Sequence, residues 1–243
     1  MNEFLLVLGI ALVASFLTYL GAPLAERFDV PHKIVSAALQ FAAGIITALV
    51  AFSLMPPAVR GGPYGWVVLA FFFGGVLYVT IEYLSTRVMA SAPASEDGAT
   101  SFGLYIGILV DLVIDGVVIG IGSTLTLATG LLLALGLAIS TAPLAFVTTT
   151  IAKRQGMSAK NRRLLSFSFF LCVLAGAMLG YLVLRNQSAE LRLILVALAS
   201  GFLITTVVQG LIPEANREGE PGFAGLLYIA GLSLYGLMSL TIK

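Results

Sequence analysis

Charge is the scarcest commodity in this chain. Its 243 residues hold 13 Lys and Arg and 12 Asp and Glu, so only 10% are charged, against roughly 25% in soluble domains. That shortage excludes an ordinary water-soluble domain. The formal net charge is +1, and no basic patch is interleaved with aromatics, which excludes a nucleic-acid partner. There is one histidine, His32, so no multi-histidine metal site can form. There is one cysteine, Cys172, so no internal disulfide can form. It falls in an apolar stretch and reads as a small buried hydrophobe.

What the chain has instead is apolar sequence, 59% of its residues. A helix that spans a bilayer needs about 20 mostly apolar residues. Eight segments meet that length, at roughly 4–22, 34–56, 65–86, 102–121, 124–151, 164–185, 192–213 and 223–242. The expected fold class is an all-α membrane protein forming one transmembrane domain over 1–243, because no connection is long enough to fold separately. The stretch MASAPASEDGATS after the third segment is polar and rich in small residues, and is expected to be mobile. The first segment carries Glu3 and lacks an early Lys or Arg, so it is expected to be a retained span rather than a signal peptide.

Basic residues orient the spans. Arg27, Lys33, Arg87, Lys153, Arg154, Lys160, Arg162, Arg163 and Arg217 fall in the odd-numbered connections; Arg60, Arg185, Arg192 and Lys243 lie on the other side. The positive-inside rule then places connections 1–2, 3–4, 5–6 and 7–8 in the cytoplasm and both termini outside. Short loops fit a multi-pass protein of a bacterial inner membrane.

The second and seventh segments end alike, AFSLMPPA and VQGLIPEA. Leu54 matches Leu211, Pro56 matches Pro213, Ala58 matches Ala215 and, upstream, Gly44 matches Gly201. The two segments run in opposite directions, so a repeat relating them is inverted. Inverted repeats with proline-interrupted helices at matching positions mark many secondary transporters, whose substrate sites lie near the midplane. The expected plan is three helices, a central pair and three helices.

The first helix of that central pair carries Asp111 and Asp115. A carboxylate at the centre of a spanning helix costs about 2.5–3.5 kcal/mol on insertion scales. Gly103, Gly107, Asp111 and Asp115 share a stripe, expected to face another helix or a wet cavity rather than lipid. Two acids one turn apart repel, so they share a proton or a cation; the competing account makes them neutral packing residues. The second helix of the pair offers Ser140, Thr141, Pro143 and Thr148–Thr150. Pro143 frees the carbonyl of residue 139, and hydroxyls with free carbonyls could line an oxygen-rich patch; they could equally bond their own backbone. Gln209 and Glu214 flank the turn of the seventh segment. Glu82 is expected to reach towards Arg87 at the membrane surface.

These residues resemble the ZIP (Zrt/Irt-like) metal transporters: eight spans, outside termini, a three-two-three inverted plan, and the endings VQGLIPEA and AFSLMPPA. In that family the fourth and fifth helices each carry a His-Asn-x-Pro-Glu-Gly motif that supplies metal ligands. Here Asp111 stands at the histidine position, Asp115 at the glutamate position, and Gly116 matches; on the fifth helix only Pro143 matches, in the run Ser140 to Ala145, and Leu144 replaces the carboxylate. The resemblance implies a transporter of a divalent cation (zinc, manganese, iron or similar), with Asp111, Asp115, Ser140, Thr141, Gln209 and Glu214 as metal-site residues. The ligand types suit Mn²⁺ or Mg²⁺ better than zinc.

The implied partners are the bilayer, the small cation as substrate, and a second copy of the chain in a homodimer. No prosthetic group is implied. Two alternatives stay open: a proton-linked transporter of a non-metal solute, and a transport-inactive sensor or partner subunit. No enzymatic activity is expected, since the acids of intramembrane aspartyl proteases come from two helices whereas these share one.

Overall fold

The computed structural model describes residues 3–28, 31–90, 99–217 and 222–242. They form helices, with no strand among them. Eight are long and apolar enough to cross a membrane. In order they are α1 (Glu3–Arg27); α2 (His32–Leu49), continued by a π-helical segment (Val50–Leu54) and α3 (Met55–Gly61); α4 (Tyr64–Ala90); α5 (Ala99–Leu125); α6 (Leu127–Arg154); α7 (Ala159–Leu184); α8 (Ala189–Thr205), continued by a second π-helical segment (Thr206–Leu211) and α9 (Ile212–Arg217); and α10 (Ala224–Thr241). Trp66, Phe72 and Phe73 on α4 and Leu226, Leu237 and Leu240 on α10 are all exposed. An apolar surface of that extent belongs against lipid.

Local chemistry sets the breaks. Thr126 alone separates α5 from α6, and its hydroxyl caps α6 by accepting the Thr129 N–H at 3.0 Å. The basic stretch 153–163 is mostly helical rather than a loop: α6 runs to Arg154 and α7 begins at Ala159, capped by Ser158. The chain turns between them at Gly156, whose φ is +76°. Arg162 thereby falls in the first turn of α7, where the helix dipole disfavours a cation. Its fork onto Glu26 of α1 offsets this. The connection expected to be mobile lies largely outside the described residues, at 91–98.

The main helix pairs are α1 with α6, α5 with α7, α2 with α10 and α4 with α8. The last two pairs are the same structure twice. A methyl added to Gly44 would sit 2.0 Å from the carbonyl oxygen of Tyr228, and one added to Gly201 would sit 1.8 Å from that of Phe71. One added to Gly74 would meet the Leu198 oxygen at 1.9 Å, and one added to Gly231 the Phe41 oxygen at 2.1 Å. Each of Phe41, Gly44, Phe71 and Gly74 has its counterpart 157 positions later, at Leu198, Gly201, Tyr228 and Gly231. The π-helical segments and the prolines after them keep the same register. The weak likeness between the two segment endings is therefore the trace of a full three-helix repeat. It is inverted because five spans separate equivalent helices, and short connections reverse the chain at every span.

Of the helix or wet cavity expected beside the aspartate stripe of α5, Gly107 meets open space: an added methyl there would have nothing among the described residues within 4 Å, whereas Gly116 and Gly120 pack onto α7 at the oxygens of Val173 and Ala177, 2.3 Å from an added methyl in each case. The stripe is open at Gly107 and Asp111 and buried at Asp115, and the neighbouring face makes the close packing.

Backbone-to-backbone contact leaves no room for relaxation. We predict that Gly74→Ala lowers the thermal stability of the purified protein by about 1–3 kcal/mol, the cost of overpacking. Gly65→Ala on the same helix, where an added methyl meets nothing within 4 Å, should leave the melting curve where it is or raise it.

Candidate functional site

Asp111 lies twelve residues into α5 and fourteen from its end, about 18 Å and 21 Å from the two termini of the helix at 1.5 Å per residue. It is therefore near the middle of that helix. A cavity of about 430 Å³ reaches it, walled by α4, α5, α6 and the α8–α9 strand of helix. Glu82, Glu214 and Arg217 form its rim; the Arg217 side chain is 79% exposed, and it pairs with Glu214 at 3.3 Å. Gln209, Tyr78 and Thr148 also line it. The Thr206 hydroxyl, which has one proton to give, lies 3.3 Å from the Asp111 carboxylate and 3.2 Å from the Phe202 carbonyl of its own helix.

One turn deeper on α5, Asp115 is only 2% exposed, and neither of its carboxylate oxygens has a hydrogen-bond partner. A carboxylate can only accept. Buried and ionised without a donor, it carries a large desolvation cost. The position calls for a proton or a cation.

The six sequence-predicted residues fall in two places. Asp111, Gln209 and Glu214 line the one cavity, with Asp115 behind Asp111 on the same helix. Ser140 and Thr141 do not line it. Both hydroxyls donate to the Leu137 carbonyl, at 2.9 and 2.8 Å, and the Thr141 hydroxyl lies 2.8 Å from that of Thr18 on α1. Both are buried, and Thr141 acts in α1–α6 packing. Pro143 borders a different, almost wholly apolar groove between α1, α2 and α6. Of the three following threonines only Thr148 lines the cavity, and all three hydroxyls donate to carbonyls four residues back.

Sequence reasoning missed Tyr78 and Thr206 and assigned Glu82 to the membrane surface. Two of these carried a usable signal. Tyr78 and Glu82 are four residues apart and share a helix face, and Thr206 lies one turn before Gln209.

The polar lining is carboxylate, hydroxyl, amide and one guanidinium. Among the described residues no three His, Cys, Asp or Glu side chains converge as a closed metal site. The donors present are oxygens, which suit a hard cation that keeps part of its water shell. No protein-family model matches the chain, and no curated protein matches it in sequence.

An acceptor pair without donors weakens the fold that holds it. Asp115→Asn, which exchanges one acceptor for two donors, should raise the stability of the cation-free protein by about 1–3 kcal/mol, the usual penalty of an unsatisfied buried group. Thermal melts in chelator, with Thr206→Ala as a control that should not stabilise, measure this. A lower melting point for Asp115→Asn would mean that the carboxylate already has a partner.

Proposed function

We propose that this chain is a membrane transporter that carries a divalent cation through a site at Asp111 and Asp115, as the ZIP-like transporters that its helix plan resembles would imply. One observation carries the reading: an open cavity leads from the acidic rim at Glu82 and Glu214 to Asp111, with the unpartnered Asp115 one turn beyond. Coulomb attraction draws a cation along that line. Each carboxylate replaces hydration that the membrane interior withholds.

Two helix sets face each other across the cavity. Helices α1, α5, α6 and α7 pack together, as do α2, α4, α8 and α10. The Thr206–Asp111 contact bridges them. Alternating access follows if one set moves against the other. The cavity rim lies at the end that holds Arg154 and Arg217, so the positive-inside rule makes this the cytoplasmic side and puts both termini outside. The membrane in this reading is a cell (inner) membrane.

A second reading keeps the fold and changes the cargo. At about 430 Å³ the cavity exceeds the roughly 30 Å³ share of one water many times over, and Phe202, Leu144 and Val147 contribute apolar wall. A small organic solute fits, with the aspartates exchanging protons as it passes.

Uptake into reconstituted vesicles separates the two. The expected result is uptake of Mn²⁺ or Mg²⁺ by the wild type that falls at least tenfold in Asp111→Asn. Uptake unchanged in this variant across a panel of divalent metals would sink the cation reading. Proton flux that depends on an organic solute and ignores chelators would favour the second.

A further inference from the structure

The internal repeat lets each half of the molecule be compared with the other, and the halves are in different states. Tyr78 on α4 and Tyr235 on α10 are equivalent, 157 positions apart. Each points its hydroxyl at the equivalent place on a π-helical segment. The Tyr235 hydroxyl lies 2.8 Å from that of Ser53, and the Tyr78 oxygen would be 3.0 Å from a methyl on Gly210, the counterpart of Ser53. The tyrosines are thus fixed to the outer helix pairs in the same way.

What differs is the central helix opposite each ring. Aligning Asp111 of α5 with Ser140 of α6, as the motif positions require, also aligns Gly107 with Gly136. Against Gly136 the ring of Tyr235 is packed so closely that an added methyl would lie 2.4 Å from Cε2 and 3.2 Å from the Leu49 Cδ1. Tyr235 is fully buried there. Beside Gly107 an added methyl would meet nothing within 4 Å, and Gly107 and Tyr78 both line the open cavity. Phe202 and Thr206 are buried like their counterparts Ile45 and Leu49, so the halves differ at the central helix: Asp111 is half-buried and lines the cavity, whereas its counterpart Ser140 is buried, at 1% exposure. One half is open at its glycine and the other is shut at its glycine.

We propose that Gly107 and Gly136 are alternating sockets for Tyr78 and Tyr235, and that docking one tyrosine while releasing the other decides which side of the membrane reaches Asp111. This rests on the transport reading for its purpose but not for its geometry. A glycine is required at both positions because the ring must approach the helix backbone, as it does at Gly136. In the alternate state Tyr78 closes on Gly107, the present cavity shuts, and Tyr235 leaves Gly136.

The two sockets make opposite predictions. In a Cys172→Ser background, an Ile151→Cys reporter in the cavity wall and a Leu49→Cys reporter in the shut half are labelled, in separate proteins, by a polar maleimide in lipid nanodiscs, where both faces are accessible. The expected baseline is fast labelling of the Ile151→Cys reporter and protection of the Leu49→Cys reporter. Adding Gly136→Ala should speed labelling at the Leu49 position at least tenfold and slow it at the Ile151 position. Adding Gly107→Ala should keep the Ile151 position fast and the Leu49 position protected. If Gly136→Ala does not fold, Tyr235→Leu serves instead. It removes the ring that fills the Gly136 socket and should speed labelling at the Leu49 position and slow it at the Ile151 position; rates that it leaves unchanged overturn the proposal. Rates unchanged by folded Gly136→Ala, or raised at both positions together, overturn the proposal. Exchange of labelling in a protein that moves no divalent cation upholds the sockets and overturns the cation reading alone. Cation uptake without exchange overturns the sockets alone.

Discussion

Direct contact between helix backbones is the constraint on which the rest of this molecule depends. Lipid tails are as apolar as leucine, so burying an apolar side chain between helices gains little in a membrane, and close packing must hold the bundle instead. Here the glycines Gly44, Gly74, Gly201 and Gly231 let carbonyl oxygens of the partner helices come within van der Waals range of the backbone. They lock α2 to α10 and α4 to α8. Gly116, Gly120, Gly176 and Gly180 do the same between α5 and α7. Between the locked sets the seam is made of side chains, and side chains can part. The cavity lies on that seam.

The same solvent dictates what polar groups can do. With no water in the hydrocarbon, a serine or threonine satisfies itself by donating to its own helix, as Thr47, Ser140, Thr148 and Ser200 do. A hydroxyl so engaged retains acceptor capacity but has spent its proton. An aspartate has no such option. Its oxygens accept only, and the helix backbone around it has no free N–H to give. The π-helical segment at Thr206–Leu211 matters for this reason: it begins at Thr206, whose hydroxyl is within reach of both the Phe202 carbonyl and Asp111, and it carries Gln209, which lines the cavity. Such segments recur at functional positions because the wider turn re-aims side chains.

Much of the architecture was legible in the sequence. Length and hydropathy suffice for eight spans because a bilayer demands a fixed run of apolar residues. The matching Leu54 and Leu211, Pro56 and Pro213, and Gly44 and Gly201 exposed the repeat because those positions make backbone contacts or end π-helical segments, where few residues serve. Asp111 and Asp115 stood out for their cost. The partners of the aspartates were not legible. Ser140 and Thr141 share a helix with Thr148, yet only Thr148 reaches the cavity: Thr141 meets Thr18 of α1, and Ser140 is buried one turn from Gly136, which packs on Tyr235 and Leu49. Which face meets which neighbour depends on crossing angles, and near-uniform apolar sequence does not encode them strongly. Whether Gly107 faces a helix or a cavity was not legible for a related reason. A glycine that admits a neighbour and a glycine that awaits one look alike in a string of letters.

The repeat is most informative where it fails. Gly210 stands where Ser53 should recur, and on the central pair Ser140 and Leu144 stand where Asp111 and Asp115 do on α5. A perfectly symmetric carrier would draw its ligands from both central helices and hold the cargo on the symmetry axis. Under the proposed transport, acids confined to α5 would hold a cation to one helix, so the cargo would stay with that helix whichever side is open. Tyr78 and Tyr235, by contrast, are symmetric and sit on the outer pairs. Binding and access would then fall to different residues. A substitution in the acids would change what is carried without changing which way the molecule opens, and a substitution in the glycines would do the reverse.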